Sequence, residues 1–124
     1  MQIDEKTFKK FVTDAIDNIP PKYADHIKNV AFVVEDIPDE IQRRKLALRD
    51  DQSLFGLYEG IPLTRRSSGY NLVLPDKITI FKIPIERTSR TIEELRERVK
   101  HTVWHEVAHY FGLDHDQIHE LEDK

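Results

Sequence analysis

The 124-residue chain has no cysteine. That excludes a disulfide framework and a thiolate zinc site, leaves any metal chemistry to the histidines, and makes a reducing cytoplasm the expected home. Glycine is scarce, at four residues, and no Gly-rich phosphate loop can be assembled from them. No apolar run approaches the roughly 20 residues of a membrane span. The residues after Met1 form an amphipathic pattern broken by charges, where a secretory signal would show a continuous apolar core. There is no excess of basic charge either: the net charge of −4 suits a soluble protein and speaks against a general polyanion binder, so no nucleic-acid partner and no membrane partner is expected. Repeats and low-complexity segments are absent.

What is present reads as one domain, residues 1–124, of α+β class with a single core. Phe8, Phe11, Val12, Ala15, Ile16 and Ile19 recur at helical spacing, with Asp4 as N-cap and Pro20-Pro21 as stop, so the pattern predicts a core-packing helix over 4–19. Residues 21–28 add a turn of helix. The β-branched run 30–35 predicts a buried strand ending at Asp36-Ile37-Pro38. Residues 38–52 have no clean apolar period and fit a short helix or a surface loop. Their basic cluster (Arg43, Arg44, Lys45, Arg49) is balanced by Asp39, Glu40, Asp50 and Asp51 and reads as a solvated face. A second strand is predicted over 54–59, closed by Gly60 and Pro62, then a loop over 61–76. Residues 77–83 alternate polar and apolar, which predicts a strand with one buried face, and Pro84 predicts that it lies at the sheet edge, where an extended peptide could pair with it.

Thr91-Ile92-Glu93-Glu94 matches a capping box and opens a helix expected to run to Phe111. Ile92, Leu95, Val99, Val103, Val107 and Tyr110 make its core stripe, while Trp104, Ala108 and Phe111 occupy another side. The C-terminal half should therefore be buried nearly all round. A last short helix is expected over 116–121.

That long helix carries His105-Glu106-Val107-Ala108-His109-Tyr110-Phe111-Gly112-Leu113-Asp114-His115. Positions i and i+4 share a helix face, so His105 and His109 can aim imidazole nitrogens at one zinc ion. Glu106 is displaced around the helix by roughly one hundred degrees, near enough to act on a zinc-activated water without ligating. Gly112 permits a left-handed turn that ends the helix, letting His115 arrive as a third ligand. Three protein ligands leave a fourth position open, the pattern of a catalytic zinc. His101 extends the same series but is expected to lie at the surface or behind the ligands.

The motif resembles that of the metzincin metalloproteases. The stretch 54–121 is similar to the small single-domain bacterial zincin-like metallopeptidases, on Leu57-Tyr58-Glu59-Gly60-Ile61-Pro62-Leu63-Thr64, on Leu74-Pro75-Asp76-Lys77-Ile78-Thr79-Ile80-Phe81 and on the His105–Gly112 run. The resemblance implies a minimal zincin-like domain, with a small mixed sheet, an active-site helix and an N-terminal helix. It also implies a Zn2+ cofactor, a peptide or protein substrate, and peptide-bond hydrolysis with Glu106 as general base. Two departures stand out: the only methionine is Met1, so a methionine turn beneath the metal is missing, and the small zincins often place Asp where His115 stands, which makes Asp114 and Asp116 rival ligands. Two other readings remain open at this point. The histidine spacing also resembles that of bacterial rRNA-maturation endoribonucleases, which carry a small residue in place of Glu106. A zinc-stabilised interaction module without catalysis is the third.

Overall fold

Asp4 begins the regular structure: its Oδ1 accepts the Thr7 amide at 2.7 Å and caps helix α1 (Glu5–Asp17). In the computed structural model, which describes residues 1–47, 55–62, 75–113 and 117, α1 is followed by a single turn, α2 (Pro21–Ala24), and by strand β1 (Val30–Glu35). Helix α3 (Glu40–Ala47) and strand β2 (Gly56–Glu59) come next. Strand β3 (Asp76–Phe81) then runs straight into helix α4 (Lys82–Thr88), and α5 (Ile92–Phe111) carries the motif. The architecture is α+β, with a mixed sheet of three strands ordered β1-β3-β2. β1 pairs parallel to β3, and β2 pairs antiparallel to it.

The alternation of β3 divides the interior in two. Ile78 and Ile80 point to the helices, joining Phe8, Val12 and Ala15 of α1 and Leu95, Val99, Val103 and Val107 of α5 in the main core. Phe81 points the other way, into a smaller cluster with Leu57 of β2 and Leu46 of α3. The two long helices pack on each other, and Trp104 fixes their register by donating its Nε1 hydrogen to the Ala15 carbonyl at 3.2 Å. A buried indole needs such an acceptor.

The predicted edge position of the strand beginning at residue 77 is corrected by the topology. β3 is the central strand, flanked on both sides, and β1 and β2 are the outer strands among the described residues. Pro84 misleads because it belongs to α4, where it occupies the third residue; in a first helical turn its missing N–H leaves no bond unmade. β1, expected to be buried, is half-buried along its whole length, as an outer strand should be. The ambiguous segment 38–52 contains α3, started by a reciprocal cap: Asp39 Oδ1 accepts the Gln42 amide at 2.7 Å while Gln42 Oε1 accepts the Asp39 amide at 2.9 Å. The loop expected over 61–76 and the last helix expected over 116–121 fall largely outside the described residues. Among the described residues no helix is long and apolar enough to cross a membrane.

Two buried polar groups make opposite contributions to stability. Thr79 is fully buried, and its hydroxyl has no hydrogen-bond partner among the described residues, so that group has been desolvated without compensation. Thr79→Val, which keeps the shape and the β-branched stem, should raise stability by about 1 kcal/mol; a urea midpoint below the parent's would contradict this. Glu86 is buried with better company. Burial alone pushes its carboxyl pKa up, but the Ile3 amide at 2.8 Å and the Lys82 ammonium at 3.0 Å outweigh it and hold the pKa below the ordinary value. A depressed carboxyl stabilises the fold above its unfolded pKa, and the contribution is lost as pH falls through the folded one. Glu86→Gln should therefore melt below the parent at neutral pH, by roughly 1–3 kcal/mol, with the two curves converging in acid.

Candidate metal centre and active-site cleft

The last turns of α5 are buried on nearly every side. Thr102, Val103, Trp104, Glu106, Val107, Ala108 and Tyr110 are all buried, while His105, His109 and Phe111 are partly open. The two imidazole rings meet edge to face with centroids 4.9 Å apart. One donor atom from each of His105, Glu106 and His109 lies within 4.8 Å of the others, so the three side chains converge on one point. A helix packed all round has little freedom to rotate, and the donors are therefore held before any ion arrives. The helix ends as its sequence predicts: Gly112 is left-handed at φ 74° and the Leu113 amide returns to the Ala108 carbonyl at 3.1 Å. His115, the expected third ligand, and its rivals Asp114 and Asp116 lie outside the described residues. His101 is exposed and within 3.4 Å of Glu97, outside the converging group.

Glu106 differs from its two neighbours in being fully buried. It belongs to a row one turn apart, Thr102, Glu106 and Tyr110, that lies under β2. At one end of the row Tyr110 meets the Tyr58 ring edge-on at 6.1 Å, and nearer the middle Gly56 faces Thr102 and Glu106. Tyr58 is itself oriented by donating its hydroxyl to Asp76 Oδ2 at 2.6 Å. Beside this row opens a cleft of about 310 Å³, lined by Leu57, Tyr58 and Glu59, by Lys45 of α3, and by Glu106 and His109. Lys45 forms an ion pair with Glu59 across the rim, and Gln42 Nε2 donates to the same carboxylate at 3.4 Å. A larger cavity of about 490 Å³ near Asp36, Lys82 and Arg87 holds no imidazole, so size alone does not pick out the site.

Sequence reasoning found the α5 donors but missed Lys45, Gln42 and Tyr58. The signal for α3 was present in the Asp39-x-x-Gln42 cap, whereas the pairing of Lys45 with Glu59 depends on how α3 lies across β2 and has no local signature. The donor set itself fits zinc: two imidazoles on one helix face, a neighbouring carboxylate, and a cleft with an apolar wall. Substituting His105 or His109 by Ala should abolish tight zinc binding by removing one of few protein donors, while His101→Ala should leave zinc content at the parent's level. Metal analysis of dialysed protein checks both, and zinc retained by His109→Ala would contradict the assignment.

No curated protein matches the chain. The family model described as zincin-like metallopeptidase matches residues 27–124. That span takes in the whole sheet, α3, and α5 with its histidines, leaving only α1 and α2 before it. A match of that extent, on a chain whose helix gathers His105, Glu106 and His109 beside a strand-lined cleft, shows that the protein belongs to the zincin-like metallopeptidases, a family of zinc-dependent proteolytic chemistry.

Proposed function

We propose that this protein hydrolyses peptide bonds, with His105, His109 and His115 holding zinc and Glu106 serving as the general base. The observation that carries the reading is the convergence of the His105, Glu106 and His109 donors, two of which, Glu106 and His109, line a cleft bordered by β2. When bound, zinc supplies Lewis acidity, which lowers the pKa of a water and polarises a carbonyl. The remaining work belongs to the chain. Glu106 takes the proton of the attacking water and returns it to the leaving amine, a role that its buried position next to the two imidazoles supports.

A substrate must also be held in register. Leu57, Tyr58 and Glu59 border the cleft, so a peptide lying in it would run along β2. The strand beginning at residue 77, first expected to pair with substrate, is flanked by β1 and β2 and does not offer an edge. Leu57 and Tyr58 favour an apolar or aromatic side chain in the cleft, since Lys45, the cation lining it among the described residues, is already opposed by Glu59. The family match supports this reading over the endoribonuclease alternative.

Glu106→Gln keeps the shape of the side chain and removes the base. The variant should fold, bind zinc nearly as well as the parent, and cleave denatured casein about 10²–10⁴-fold more slowly. Casein cleavage at the parent rate would refute the mechanism. Cleavage of structured RNA and not of casein by the zinc-loaded parent would favour the nuclease. Zinc that raises the melting temperature while neither polymer is cut would favour the interaction module.

A further inference from the structure

Helix α5 and strand β2 approach more closely than two ordinary side chains permit. Gly56 pairs with Ile80, which turns the face where its side chain would be toward α5. A Cβ placed there would stand 2.7 Å from Thr102 Cγ2 and 3.1 Å from both Glu106 Cγ and the Thr79 carbonyl oxygen. Backbone torsion does not call for glycine at this point: among the described residues the glycine with positive φ is Gly112. Glycine weakens a strand, so its presence here follows from space. That space is bounded by the Thr102 methyl group, the methylene chain of Glu106 and the Thr79 carbonyl.

A glutamate has three side-chain torsions and could swing its carboxylate onto the metal, away from it, or between. We infer that Gly56 is a positioning residue for Glu106: the bare strand backbone and the Thr102 methyl form a slot that fixes Glu106 Cγ and aims the carboxylate beside the two imidazoles. The inference rests on the peptidase reading for what the carboxylate does, but not for where it is held. Filling the slot with one methyl group displaces the Glu106 side chain by a few tenths of an ångström or into another rotamer, and proton transfer is sensitive to such displacement.

Gly56→Ala alone would also collide with Thr102, and a fall in stability would then obscure the effect. Thr102→Ser removes the offending Cγ2 while keeping the hydroxyl that donates to the Arg98 carbonyl at 2.7 Å. The double variant Gly56→Ala/Thr102→Ser leaves the new methyl group against Glu106 Cγ and the Thr79 carbonyl. The zinc-loaded parent and double variant are titrated calorimetrically with acetohydroxamate, a zinc chelator that gives up its hydroxyl proton on binding and gains affinity from a carboxylate placed to accept it beside the metal. Casein turnover, zinc content and melting temperature are measured in parallel.

The double variant should melt near the parent and hold as much zinc, yet bind acetohydroxamate at least roughly tenfold more weakly and lose kcat by a similar factor with KM little changed. In a Glu106→Gln background the same pair of substitutions should cost no further affinity, because the group being positioned is gone. Parent-level affinity in the double variant, or a loss that persists in full in the Glu106→Gln background, would make Gly56 a packing residue only and overturn the inference. A parent that takes up no acetohydroxamate also overturns it. A parent that shows the coupling but hydrolyses no peptide leaves the inference standing and sinks the peptidase reading instead.

Discussion

The seam between α5 and the β2–β3 pair governs the arrangement of this molecule. Thr102, Glu106 and Tyr110 recur once per turn and press against β2, while Trp104 and Ala108 turn toward the core shared with α1. A helix clamped on both of these faces can present His105 and His109 only at the boundary between them. His109 at that boundary lines the cleft together with Glu106. The cost falls on Glu106, a carboxylate taken fully out of water, which a core position would not ordinarily accept. On the proposed mechanism, that cost places a proton acceptor next to the two imidazoles.

The second face of the sheet has a different task. Leu46 of α3 packs on Leu57 and Phe81, and this small cluster lays α3 across β2 so that Lys45 reaches Glu59 at the mouth of the cleft. Gln42 links both ends of that arrangement, capping α3 through Asp39 and touching Glu59. A short charged helix that shows little apolar pattern thus becomes one wall of the site. The ion pair itself is partly exposed and adds little to stability; its consequence is the shape and neutral character of the rim.

Features written in local spacing were legible before any coordinates. The Asp4 and Thr91 caps, the stop at Pro20-Pro21, the left-handed Gly112 and the convergence of His105 with His109 each depend on neighbours within a few residues. Strand order was not legible, because it depends on which edges meet across a long separation in sequence. Pro84 was read as marking an edge strand when it marks the start of α4, and β3 proved central. The exposed position of His101 follows from the same 3.6-residue geometry, carried one turn beyond the end of the cleft. Gly56 is the instructive case: in sequence it is one glycine opening a four-residue strand, and only the facing helix reveals that its lack of a side chain is used.

The claim at the centre of this account is that α5 holds a zinc ion with an incomplete set of protein donors, leaving room for a reaction beside Glu106. X-ray absorption at the zinc edge of the loaded protein tests it most directly. The account predicts three imidazole nitrogens and one non-protein oxygen at about 2.0–2.1 Å, with the same shell in Glu106→Gln. A shell completed by four protein donors, or one that changes when Glu106 is replaced, would contradict it.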